Sequence, residues 1–110
     1  MIPLNYASLE AAQRLDKARV VLKTERGWFY SKKYGWTDHE MIECEKRIPR
    51  ASFAEMWREL PGDASICKMN GNNYTLLQNR KTPQFGNTNP TDALIDLLIW
   101  VTEQKRKEKL

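Results

Sequence analysis

The sequence predicts an α+β fold in the order α-β-β-β-α-β-β-α, a mostly antiparallel sheet with helices packed on one face. Three observations predict it. Asn70-Gly71, the dipeptide best suited to a two-residue type I′ turn, separates two short stretches of strand character. Ser52-Phe53-Ala54-Glu55 spells a capping box ahead of an apolar face at helical spacing. Asn89-Pro90 opens a long apolar segment with a capping residue and a proline suited to the first helical position.

The elements follow in order. A first helix starts at Ser8, a good cap, with Glu10 adding negative charge to the first turn. Leu9, Ala12 and Leu15 give its apolar face, with Ala11 alongside. Val20 to Thr24 and Trp28 to Lys32 then read as two strands around Glu25-Arg26-Gly27, where Gly27 can supply a positive φ. Tyr34 to Asp38 reads as a loop. Met41 to Arg47 alternates: Ile42, Cys44 and then Ile48 share one face, and Glu43, Glu45 and Arg47 the other. Pro49 ends that strand. The capped helix that follows places Phe53, Met56, Trp57 and Leu60 on one side, and Pro61-Gly62 stops it. Ser65 to Met69 and Asn73 to Gln78 form the hairpin around Asn70-Gly71, and Asn79 to Thr88 reads as a polar loop. An offset of 44 residues superposes Ala7-Ser8 on Ala51-Ser52, Gly27 on Gly71 and Tyr30 on Tyr74, as a duplicated helix-hairpin unit requires.

The final helix is apolar around most of its circumference. Leu94, Leu97, Leu98 and Val101 form one stripe, flanked by Ile95 and Ile99 on one side and Ala93 and Trp100 on the other. Asp92, Asp96 and Glu103 are its only polar strip before the basic end, and Asp92 can reach back to the cap. The apolar arc is roughly twice the ~100° of an ordinary surface helix. The domain's own elements cover it, or a partner does. Ile95, Ile99 and Trp100 are therefore the candidate interface for a homodimer or a protein partner. Lys105, Arg106, Lys107 and Lys109 lie where the helix dipole favours cations.

The 110 residues suit one domain, 41% hydrophobic and 29% charged, large enough to bury a core without metal or disulfide. The sequence contains no apolar run of membrane-spanning length and no basic-then-apolar leader pattern, so no membrane association and a cytoplasmic location are expected. The net charge is +4, and the last six residues supply most of it, four cations against Glu108.

No pattern for catalysis, metal or cofactor stands out. His39 is the only histidine and lies in Asp38-His39-Glu40 without a second ligand set. Cys44 and Cys67 are too far apart for zinc-site spacing and are expected as buried free thiols. The glycines are scattered singly, with no phosphate-binding loop. The strongest binding pattern runs from Trp28 to Trp36. There Trp28, Tyr30, Tyr34 and Trp36 offer stacking surfaces and Lys32 and Lys33 offer cations, joined by Lys105, Arg106 and Lys107 at the far end. Strand aromatics in a small domain also serve as core.

Three segments carry a resemblance: Ser8, Glu10 and Ala12; Trp57-Arg58-Glu59; and Asn89, Pro90, Asp92, Ala93, Leu94, Leu97, Leu98 and Trp100. Together they resemble a loose group of small proteins from phage and prophage-like regions of gut Bacteroidetes genomes. The resemblance implies a mobile-element context, and the group has no assigned activity. The sequence thus leads to a non-enzymatic interaction module, with a small nucleic-acid-binding protein as the alternative.

Overall fold

A computed structural model describes residues 5–40 and 43–108. The order is α1 (Leu9–Lys17), β1 (Gly27–Ser31), β2 (Gly35–Thr37), β3 (Lys46–Pro49), α2 (Phe53–Glu59), β4 (Ala64–Met69), β5 (Asn72–Leu77), β6 (Phe85–Asn87) and α3 (Pro90–Glu108). The fold is α+β, but its strands form two antiparallel sheets of three, in the orders β2-β1-β3 and β4-β5-β6. Helices pack against one face of each sheet, and the molecule is flat, 46 × 39 × 18 Å.

α1 begins where Ser8 Oγ accepts from the Ala11 amide. It ends in a Schellman motif: Val20 N donates to Leu15 O and Arg19 N to Asp16 O, with Arg19 at φ 59°. A left-handed arginine is costly. The guanidinium of Arg106 offsets part of that cost by donating to Ala18 O at 2.5 Å and Arg19 O at 2.8 Å. Asp16 holds Lys46 at 2.7 Å, tying this end of α1 to the start of β3.

The segment after α1 is not a strand. Val20 and Leu22 pack on the helical core while Val21 is 93% exposed, so the period-two burial is present without a ladder. The place beside β1 is taken by β3, with Trp28 opposite Ile48 and Phe29 opposite Arg47. Gly27 consequently begins a strand, and no turn is built on it. Arg47 lies so close that a β-carbon there would sit 2.7 Å from its Nε. The turn glycine is Gly35, at φ 71°, and Gly35 to Thr37, expected as loop, pairs with β1. β3 is later than expected and includes Pro49, paired with Gly27. Met41 and Ile42, the expected start of that strand, lie outside the described residues.

The capping box of α2 is present in full: Glu55 N donates to Ser52 Oγ and Ser52 N to Glu55 Oε1. Glu55 Oε2 also accepts from Glu25 N at 3.0 Å. Burial alone would raise the pKa of this carboxyl, but the hydrogen bonds from Ser52 and Glu25 outweigh it and hold the group below its ordinary value. The β4–β5 hairpin turns at Asn70 (φ 51°) and Gly71 (φ 82°), both positive as a type I′ turn requires. The polar stretch after it contains β6, whose Gly86 leaves room for the Tyr74 ring lying across it. Cys67, expected buried, is exposed on β4, and Cys44 is half-buried.

The 44-residue offset matches the two caps, Ser8 and Ser52, and each is followed by a helix and three strands. It does not match the glycines, since Gly27 is in a strand and Gly71 is in a turn.

Three apolar clusters hold the layers together. Ala7, Ala11 and Leu15 meet Ala51, Met56, Leu94, Ile95 and Leu98 where the helices converge. Ala12 meets Trp28 and Ile48 between α1 and the first sheet. Leu77 meets Leu97 and Val101 between α3 and the second sheet. α3 takes part in two of the three, which accounts for most of its apolar arc.

Candidate functional site

α3 is buried on two sides and open on a third. Leu94, Ile95 and Leu98 face α1 and α2, while Leu97 and Val101 face the second sheet. Asp96, Ile99, Trp100 and Glu103 remain along a strip bordered by Arg14 of α1 and by Phe85 and Asn87 of β6. The strip floors a groove of about 490 Å³. A second hollow of about 440 Å³ shares Arg14, Ile99 and Glu103 and continues to Lys17 and Ala18.

The expected interface residues therefore divide. Ile99 and Trp100 are half-buried and line the groove. Ile95 is fully buried in the helical core, so it is no part of an open surface. One helical turn separates Ile95 from Ile99, and the helical cluster encloses the first and leaves the second at its rim.

The charged groups of the groove come from facing helices. Arg14 donates to Asp96 Oδ1 at 2.9 Å and to Glu10 Oε1 at 3.2 Å. Burial pushes the Asp96 carboxyl above its ordinary range, and the Arg14 guanidinium opposes that shift. A carboxyl raised in this way binds its proton more tightly in the folded state. Its contribution to stability is fully present below the unfolded pKa and is lost as pH rises through the folded one. Against an Asp96→Asn variant, the native protein should accordingly lose relative stability as pH rises through the carboxylate range. Urea midpoints measured at several pH values check this, and a flat or opposite difference contradicts it.

The aromatic stretch is mostly structural. Trp28 is buried against Ala12 and Ile48, its indole donating to Ala7 O at 3.4 Å. Tyr30 and Trp36 pack on the same face, ring centres 5.3 Å apart. Trp28, Tyr30 and Trp36 are thus committed to the domain. Tyr34 is different: it is 68% exposed at the β1–β2 turn, with Lys33 Nζ 5.2 Å from its ring centre, and Lys32 beside it is exposed. Arg106, expected as a free cation of the basic end, is engaged by the end of α1. Lys105 and Lys107 are exposed, and Lys109 lies outside the described residues.

Sequence reasoning missed Arg50. It is only 3% exposed, with Tyr6 and Trp28 rings 5.0 and 5.1 Å from its guanidinium and Asp38 Oδ2 3.6 Å from Nη1. Its Nε is buried without a hydrogen-bond partner. The position directly after Pro49 gave no signal, because the burial comes from Tyr6 and Trp28, both distant in sequence. His39 is exposed, and among the described residues its ring pairs with Asp38, at 3.6 Å. Among the described residues no group of His, Cys, Asp or Glu could hold a metal ion. No helix among them is long and apolar enough to cross a membrane. Comparison of the chain with family models, with curated proteins and with solved structures finds no match.

Proposed function

We propose that the protein is a non-enzymatic interaction module of phage or mobile-element origin, working in the cytoplasm through the open strip of α3. The observation that carries the reading is the pair Ile99 and Trp100, left half-buried over a groove of about 490 Å³ on a helix whose other large apolar side chains are buried. An apolar floor with a few polar groups on its walls is the usual form of a recognition surface. The resemblance of three segments to small phage-type proteins is what supports the mobile-element origin. The occupant proposed is a second copy of the chain. The groove carries charges of both signs, Arg14 and Lys17 on α1 against Asp96 and Glu103 on α3, so it offers a second copy both a cation and an anion to pair with.

Sedimentation velocity from low micromolar to about 100 µM tests this. Expected is a concentration-dependent dimer that Ile99→Asp or Trp100→Asp abolishes while the circular dichroism spectrum is kept. A monomer across the range, or a dimer indifferent to both substitutions, overturns it.

A further inference from the structure

The chain's scattered cations converge at one end of the molecule. α1 and α3 run side by side in the same direction, tied at their starts by Ser8 and Asp92 and at their ends by Arg106 on Ala18 and Arg19. Lys17 and Arg19 therefore lie next to the last turns of α3, with Lys105 and Lys107. Asp16 holds Lys46 at the same end, and Lys46 is registered opposite Tyr30 in the first sheet. β1 ends at Ser31, one residue past Tyr30, and the β1–β2 turn after it carries Lys32, Lys33 and the exposed Tyr34. Towards this end the acidic groups of the two helices are Asp16, Glu103 and Glu108, with Glu43 and Glu45 just ahead of β3, while Glu10, Asp92 and Asp96 lie further back; Asp16 is taken up by Lys46. The cations exceed them. None of Lys17, Arg19, Lys32, Lys105 and Lys107 has a side-chain ion pair or hydrogen bond among the described residues, and Lys33 has only the Tyr34 ring.

We propose that this end binds single-stranded nucleic acid, independently of the α3 groove. The lysines at the helix ends and at the β1–β2 turn meet successive phosphates, and Tyr34 stacks on a base. Helix C-termini favour cations on their own account, which explains Lys105 and Lys107 but not the lysines of the turn. A single strand is the fitting form of polyanion because the turn offers one exposed aromatic ring among cations. A membrane surface fits less well: Tyr34, and Val21 close to Arg19 in the chain, are the large apolar side chains exposed near this end among the described residues, too little for insertion.

The experiment is fluorescence anisotropy with a labelled 20-nucleotide single strand of mixed sequence, at 50 to 200 mM salt. With about four phosphates neutralised, affinity should fall about fiftyfold over that range. Lys32→Glu with Lys33→Glu, and Lys105→Glu with Lys107→Glu, should each weaken binding about tenfold or more. Tyr34→Ala should weaken the oligonucleotide but leave heparin binding unchanged. These positions are exposed, so circular dichroism should show an intact fold, and Arg106 is left in place because it holds the end of α1. The proposal is overturned by absent or salt-insensitive binding at 50 mM salt, or by loss from one lysine pair but not the other. Binding only to vesicles containing anionic lipid overturns it as well.

Discussion

Replacing Asp92 with alanine should destabilise the protein by about 3 kcal/mol, the sum of two hydrogen bonds to a buried charge. Asp92 is 5% exposed, and its carboxylate accepts from Ser8 N at 2.9 Å and from Ser8 Oγ at 2.6 Å. Ser8 Oγ in turn accepts from Ala11 N to cap α1. By accepting the hydroxyl's hydrogen bond, Asp92 turns the O–H away and leaves the serine oxygen's lone pairs free to face that amide. The first turns of α1 and α3 are thus joined at one side chain. Asn89 strengthens the junction by accepting from Thr91 N and Asp92 N while its amide donates to Tyr6 O. Urea denaturation of Asp92→Ala, Ser8→Ala and the double variant measures the link. The two should be non-additive by about 1 kcal/mol or more, because they share a bond. A loss under about 1 kcal/mol for Asp92→Ala, or simple additivity, contradicts the junction.

The same carboxylate shows where the sequence stops being readable. Asn89, Pro90 and Asp92 announce a helix start, and α3 begins there, because capping is chemistry between residues a few positions apart. The same local pattern suggested that Asp92 closes on its own cap. In the fold it reaches a serine 84 positions away, which no spacing rule contains. Ser52 with Glu55 and Asn70 with Gly71 were legible for the same local reason. Strand pairing was not. Val20 to Thr24 alternates as a strand does, yet Lys46–Pro49 occupies its expected place beside β1, and the choice is made by which segment buries Ile48 against Ala12 and Trp28. β6 has three residues around a glycine and gave too little pattern to register. At the candidate site, the width of the apolar arc on α3 was legible, but its division between core and groove depended on where α1 lies.

That division gives the second large effect. Ile95→Ala should cost about 3 kcal/mol, within the range for buried isoleucine truncations, whereas Ile99→Ala should cost under about 1 kcal/mol. Ile95 is fully enclosed by the helical cluster that includes Ala11, Leu15 and Met56, so its removal leaves a cavity that three helices cannot close without moving. Ile99 rests at the edge of that cluster and borders the groove, so truncation there removes little buried surface. Both residues have the same side chain and sit one turn apart on one helix, so propensity and chain entropy cancel in the comparison. Urea midpoints for the two variants read the difference directly, and equal costs would mean that the helical cluster encloses both residues or neither. Protein concentration adds a second axis. If the strip of α3 is where two copies meet, the midpoint of the native protein rises with concentration and Ile99→Ala flattens that rise. Ile95→Ala lowers the midpoint at every concentration and leaves the slope in place. The core residue then appears as an offset and the contact residue as a change of slope.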